Sequence, residues 1–281
     1  PPYGVSWKKD EKYVKNESKE PDGRFSVGIP RISDGQLLFL QHMISKMEPN
    51  GSRIGVVFNG SPMFTGDSGS GESEIRKWII ENDWLETIVQ LPDSMFFNTN
   101  ITTYLWIVTN KKNSERKGKI QLLDGSNYFE IMKKSLGKKR KEMSEDGLKN
   151  ILQSYLNFKE NETSKIYENS YFGYTKVQVE QPLVEDGETK KLKSGKPKPD
   201  TKLRDHERIP LNDSIDKYFE KEVKPHLPDS WMDRSKDKIG YEINFSKYFY
   251  QYKHLRSSSE ITNEIFGLDN EIKKLLIDIK K

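Results

Sequence analysis

Gln36 to Asn59 reads QLLFLQHMISKMEPNGSRIGVVFN, and the recurrence of its apolar residues decides the fold class. Leu37, Leu40, Ile44 and Met47 return at helical spacing, with Leu38, Phe39 and Met43 widening the same face, so residues 36–47 are expected to form a helix whose stripe faces a core. Pro49-Asn50-Gly51 ends it. Arg53 to Asn59 is then a short apolar strand of the kind buried on both faces in parallel sheets. Helix, tight turn and buried strand in that order predict an α/β layer with helices between strands.

Working outward, Gly60 to Gly71 (GSPMFTGDSGSG) is rich in glycine and serine. It lacks the full glycine fingerprint of a dinucleotide turn and the acidic residue expected about 20 positions later, so a flexible loop is expected. Glu72 to Glu81 reads as a second helix with Ile75, Trp78 and Ile79 inward and acidic residues favouring its start. Leu85 to Leu91 and Tyr104 to Thr109 read as strands, with Phe96 and Phe97 on the loop between them. Lys119 to Asp124 is expected as an edge strand that closes the sheet. The α/β part is therefore assigned to residues 1–125, a helical and loop-rich extension to 126–259, and a last helix to 260–281. Within the extension, 185–204 reads as a mobile linker or hairpin tip, rich in Lys, Gly and Pro.

The 281 residues are long enough for one large or two modest domains, and one third are apolar, enough for a packed core. With 47 basic and 43 acidic residues the net charge is +4, too slight a bias to argue for a polyanionic partner by itself. The absence of cysteine excludes disulfides, thiolate metal sites and cysteine nucleophiles. Neither His42, His206, His226 nor His254 sits at a catalytic or metal-ligand spacing, and no metal is expected. No apolar run approaches the roughly 20 residues of a membrane span, and the start lacks a signal-peptide pattern, so a cytoplasmic protein is expected.

Upstream of the helix stands Pro1-Pro2-Tyr3-Gly4. Two prolines stiffen the backbone, so that the Pro1 carbonyl can be aimed at a ligand and the Tyr3 ring held beside it. Chemistry on the exocyclic amino group of a DNA base needs such a pair, an aromatic face for the extruded base and acceptors for its amino hydrogens. This tetrapeptide, followed by helix, strand, helix and two strands around Asp93 to Thr99, resembles the later half of the catalytic domain of amino-group DNA methyltransferases. It is most similar to the modification subunit of type I restriction-modification systems. The resemblance runs over nearly the whole chain and includes Asp200 to Glu207 (DTKLRDHE) and Lys238 to Ile243 (KIGYEI).

That resemblance implies the later half of a class I, Rossmann-like methyltransferase sheet with flanking helices, then a mainly helical region. It implies adenine-specific methylation of double-stranded DNA with S-adenosylmethionine as donor and no metal. In the family an (Asn/Asp)-Pro-Pro-aromatic motif binds the adenine, which would give Pro1, Pro2 and Tyr3 the catalytic corner. A neighbouring loop offers a second aromatic ring, matched best by Phe96 and next by Phe97, although either ring fits plain core packing too. Hydrogen bonds from the amino group to an upstream Asn or Asp and to the Pro1 carbonyl would raise the nucleophilicity of a nitrogen whose lone pair is delocalised into the ring. The donor site is expected mostly upstream of Pro1, so the chain is expected to be the later portion of a longer enzyme, inactive alone.

Lys8, Lys9, Lys12 and Lys15 lie close to this corner in a loop, and Lys133 to Lys141 holds the densest basic run. Lys8, Lys9, Lys138, Lys139 and Arg140 are candidate phosphate contacts, a solvated face being the alternative. Ser144 is expected to cap a helix to about Phe158, with Leu148, Ile151, Leu152, Tyr155 and Leu156 inward. Tyr174 to Glu180 alternates like an exposed strand, and the aromatic run 241–252 is expected to dock on the main domain. Ile261, Ile265, Leu268, Ile272, Leu275 and Ile279 recur at steps of four and three, a narrow seam that seeks another helix. In the family such terminal helices pack on the specificity subunit, and a restriction subunit completes the complex. The alternatives are a stand-alone adenine methyltransferase whose seam packs internally, or a non-enzymatic assembly module.

Overall fold

The computed structural model describes residues 1–250, 252 and 255–279; His254, and the side chains of 274 and 277–279, hence that of Ile279, lie outside the described residues. In chain order the elements are α1 (Glu11–Glu17), α2 (Gln36–Ile44), β1 (Arg53–Phe58), α3 (Ser61–Phe64), α4 (Gly71–Glu81), β2 (Leu85–Gln90), β3 (Tyr104–Thr109) and β4 (Lys119–Asp124). There follow β5 (Phe129–Leu136), β6 (Lys139–Met143), α5 (Glu145–Asn157), β7 (Ser164–Glu168), β8 (Gly173–Glu180), β9 (Val184–Glu185), β10 (Glu188–Thr189), β11 (Asp205–Pro210), α6 (Ile215–Tyr218), β12 (Trp231–Tyr241), α7 (Phe245–Phe249) and α8 (Ser258–Ile279). Chain contacts divide these into two units, Pro1–Tyr248 and Phe249–Lys281.

The fold is mixed α/β. The main sheet has the order β1-β3-β2-β4-β7. β1, β2 and β4 run in one direction and β3 and β7 in the other, because β2 and β4 pair in parallel while β1–β3, β2–β3 and β4–β7 pair antiparallel. Apolar side chains close its core: Phe58, Ile75, Ile79, Ile88, Trp106 and Leu122 are buried, and the rings of Phe58 and Trp106 meet edge to face with centroids 5.5 Å apart. Helix α2 packs on β1, and α5 on β4. Ser70 caps α4 by accepting a bond from the Ser73 amide, which satisfies one of the free donors of that helix's first turn.

Several expectations are corrected. β1 is an outer strand with an antiparallel neighbour and exposed positions Arg53 and Gly55, so the buried, all-parallel reading of its apolar run fails. β4 is not the edge, since β7 pairs outside it and carries the sheet past residue 125. Residues 126–248 are rich in strands, not mainly helical: β8, far from exposed, is the middle of a three-stranded sheet β11-β8-β12, and its inward positions Val177 and Val179 are buried. The partners of β7 and β8 lie far along the chain, so pairing rather than local propensity makes these polar segments extended. On α5, Leu148, Leu152 and Leu156 are exposed, while Ile151 and Tyr155 are half-buried.

Candidate functional site

The ends of β1, β2 and β4 and the start of β3 meet at one edge of the main sheet, where Tyr104 pairs with both Phe58 and Gln90, and Gln90 pairs with Asp124. Carboxyl ends of strands in open α/β sheets are where ligands bind. The opening segment is fastened to this edge in two steps. The Gly35 amide donates to Val5 O (3.2 Å), the Trp7 amide to Ile32 O (3.1 Å), and the buried Trp7 indole Nε1 to Arg31 O (2.9 Å). Gln36 Nε2 in turn donates to Asn59 Oδ1 (2.9 Å), the residue just past β1, and the Asn59 amide returns a bond to Gln36 Oε1 (3.2 Å). Buried Asp34 accepts from Gln36 Nε2 (2.9 Å) and from Ser61 Oγ (2.9 Å), which locks the junction.

Above this junction Pro1 and Pro2 are exposed and Tyr3 is half-buried, so the corner is open and not packed into the interior. Gly4 turns the chain at φ 60°, a conformation that favours glycine. Burial raises the pKa of the Tyr3 phenol, which therefore stays neutral and presents an uncharged ring. Beside the segment lies an apolar cleft of about 410 Å³ lined by Pro2, Trp7, Tyr13, Phe25, Leu38 and His42.

The loop between β2 and β3 stands at the same edge, closed at its base by the Leu91 amide on Thr103 O (2.9 Å). Ser94 (φ 56°) and Asn98 (φ 61°), on either side of the two aromatics, both adopt the left-handed region, an arrangement that costs energy. Phe97 is 62% exposed, whereas Phe96 is half-buried. Tyr3 and the Phe96–Phe97 loop thus share an edge, and among the described residues no ring contact joins them.

Lys8 and Lys9 are exposed in the single 3-10 turn ahead of α1. Lys138, Lys139 and Arg140 sit at the turn and start of β6, and the hairpin they belong to returns to the aromatic loop, where Lys139 Nζ lies 5.7 Å from the Phe97 ring centre. On α8, Ile261, Ile265, Leu268, Ile272 and Leu275 are all exposed. His42 Nδ1 lies 2.8 Å from Arg24 Nη1. Among the described residues no group of three or more His, Asp or Glu side chains is gathered to hold a metal ion, and no helix is long and apolar enough to cross a membrane. Sequence reasoning missed Trp7, Asp34, Gln36, Asn59 and Ser61. The one local signal was Asn59-Gly60 directly behind an apolar strand.

The model of the N-6 DNA methylase family matches residues 1–180. The methylase subunit of the type I restriction enzyme MjaIX from Methanocaldococcus jannaschii is 28% identical over 184 residues, which is 63% of this chain and 31% of that protein. The methylase subunit of the type I restriction enzyme HindI from Haemophilus influenzae is 37% identical over 109 residues, 39% of this chain and 24% of that protein. Among solved structures, the type I restriction-modification system methyltransferase subunit from Streptococcus thermophilus is similar at a TM-score of 0.49 and 24% identity, covering 60% of this chain and 33% of that one. The matched stretches therefore span less than a third of the curated relatives' length.

Proposed function

The chain belongs to the N-6 DNA methylase family, and from that premise we propose that it supplies the target-adenine corner and an assembly surface of a type I modification subunit. The observation that carries this reading is the open Pro1-Pro2-Tyr3 corner, fastened through Val5, Gly35 and Gln36 to the same sheet edge as the Phe96–Phe97 loop. An adenine extruded from duplex DNA would stack on Tyr3, a contact of about 1 to 3 kcal/mol. The Pro1 carbonyl would accept one amino hydrogen, drawing the nitrogen away from the planar, delocalised geometry that makes it a poor nucleophile. Phe97 fits the opposite wall better than Phe96, because its ring is accessible where that of Phe96 is half-covered.

The family implies S-adenosylmethionine as methyl donor. The residues of this chain do not fit a complete donor site. Its one glycine-rich stretch, residues 60–71, is spent internally: Arg76 takes the carbonyls of Pro62, Thr65 and Gly66, and Glu72 holds the Arg31 amide at 2.8 Å. Asp34, Gln36 and Asn59 likewise satisfy one another. Alone, the 281-residue chain is therefore proposed to be inactive in methylation, its part being to bind and orient the base. The exposed seam of α8 favours a subunit over a stand-alone enzyme, with the specificity subunit as the helix that covers it and the restriction subunit joining the same complex.

The test is Tyr3→Ala in the complete methylase with its specificity subunit, read as methyl incorporation into duplex DNA and as fluorescence of a 2-aminopurine placed at the target adenine. Incorporation should fall more than about tenfold, which corresponds to roughly 1.4 kcal/mol of lost stabilisation, and the signal of the unstacked base should weaken. Near wild-type incorporation refutes the corner.

A further inference from the structure

The charge of this chain is not spread evenly. Between Phe129 and Met143 stand Lys133, Lys134, Lys138, Lys139, Arg140 and Lys141 against Glu130 and Glu142, six cations to two carboxylates, and this surplus of four equals the net charge of the whole chain. The remaining residues sum to zero, although 190–204 is a second basic stretch, with seven cations to one carboxylate. The 129–143 stretch is an arm. β5 and β6 form a two-stranded antiparallel hairpin turned at Gly137 (φ 63°), and it buries almost nothing, with Ile131 77% exposed.

A two-stranded hairpin is marginal in water without a core to pack on. This one is held from outside, by the loop that carries the aromatic rings. The amides of Arg140 (2.9 Å) and Lys141 (3.3 Å) both donate to Ser94 O. Lys141 Nζ pairs with Asp93 Oδ1 at 2.5 Å and lies 3.8 Å from the centre of the Phe129 ring. Lys141 is thus consumed in docking. Lys133, Lys134, Lys138 and Arg140 are exposed, and no described carboxylate pairs with them. Like charges so close on a scaffold this marginal repel one another, which stability alone does not explain.

We propose that the 129–143 hairpin is a nucleic-acid backbone arm, in which Lys133, Lys134, Lys138 and Arg140 contact duplex phosphates beside the extruded base while the Ser94 carbonyl ties the arm to the Phe96–Phe97 loop. At 8 residues, β5 spans about 27 Å, enough to lie along several phosphates. The choice of DNA over an acidic protein rests on the methylase reading, and on the placement of the arm against an exposed aromatic ring at the sheet edge. Phosphate contacts position the duplex without reading its sequence.

The full chain carrying K133Q/K134Q/K138Q/R140Q is compared with the wild type and with K191Q/K193Q/K196Q/K198Q, which removes the same charge from exposed positions elsewhere. Affinity for a fluorescent duplex is followed from about 50 to 200 mM salt. Each lost phosphate contact should lower the slope of log affinity against log salt by about 0.9, so the arm variant should lose about 3 to 4 and the control less than 1. Two duplexes of unrelated sequence should weaken alike. K133R/K134R/K138R, which keeps the charge, should keep the slope.

An unchanged slope in the arm variant overturns the proposal, as does an equal loss in the control, or a wild-type chain that binds no duplex at the lowest salt. An arm variant that keeps duplex binding but loses affinity for polyglutamate also overturns it, in favour of an acidic protein partner. Because Tyr3→Ala is judged by methyl incorporation in the complete enzyme, the arm can fail while the methylase reading stands, and the reverse.

Discussion

Arg76 on α4 is a charged side chain, and it is among the most buried residues of the protein. Its guanidinium donates to four carbonyls: Nε to Tyr241 O (2.6 Å), Nη1 to Pro62 O (3.1 Å) and Thr65 O (2.7 Å), and Nη2 to Gly66 O (3.1 Å). Burial pulls its pKa down to about 10 against the opposing charges of Glu242, Tyr174 and Glu72, so it remains charged at neutral pH. Arg76→Met keeps the volume but leaves four carbonyls without a donor, and should cost at least about 3 kcal/mol of unfolding free energy, measured by urea titration. Arg76→Lys should recover only part, since an ammonium cannot reach four acceptors in one plane. A Met variant within about 1 kcal/mol of wild type would mean that the carbonyls find water instead.

At the level of elements, legibility followed locality. β2, β3, β4, α4, α5 and α8 are found within a residue or two of where apolar periodicity and capping residues predict them, because those signals sit inside each segment. The hairpin β5–β6 pairs locally across the turn at Gly137, but its charges hide any apolar alternation and it read only as a basic run. In the three-stranded sheet only β8 read as a strand, because its partners β11 and β12 lie far along the chain. The site divides in the same way. Pro1-Pro2-Tyr3 and the Phe96–Phe97 loop stood out as residue types suited to a base, whereas the Asp34–Gln36–Asn59 lock depends on a contact spanning 23 residues. For α8, Ile265 and Leu268 are 59% and 54% exposed. Ile265→Asp with Leu268→Asp should therefore leave the thermal midpoint within about 2 °C, as surface changes do. The same pair should abolish co-elution with the specificity subunit, because two charges cannot be desolvated inside a helical seam. Retained co-elution would assign the seam to another partner.

Across the larger unit, Asp67 is the hub of one of the polar ties between the main sheet's helices and the three-stranded sheet. It lies between α3 and α4 at the main sheet and reaches Lys176 on β8, Arg208 on β11 (3.2 Å) and the hydroxyl of Tyr174 (3.3 Å). Burial alone would raise its pKa. The Lys176 ammonium, the Ser68 amide and the Arg208 charge outweigh that and hold the carboxyl at about 2, against an ordinary 3.8. A carboxylate whose folded pKa is depressed stabilises the fold fully above its unfolded value and loses that stabilisation as pH falls through the folded one. The window is therefore about pH 4 to 2. With the side chain 43% exposed, screening limits the effect to about 0.5 kcal/mol. Asp67→Asn should remove that increment at pH 5 and converge on wild type near pH 2, and added salt should shrink the difference between them. Urea unfolding at the two pH values measures it, and parallel losses in both proteins would show that the acid sensitivity lies in carboxylates other than Asp67.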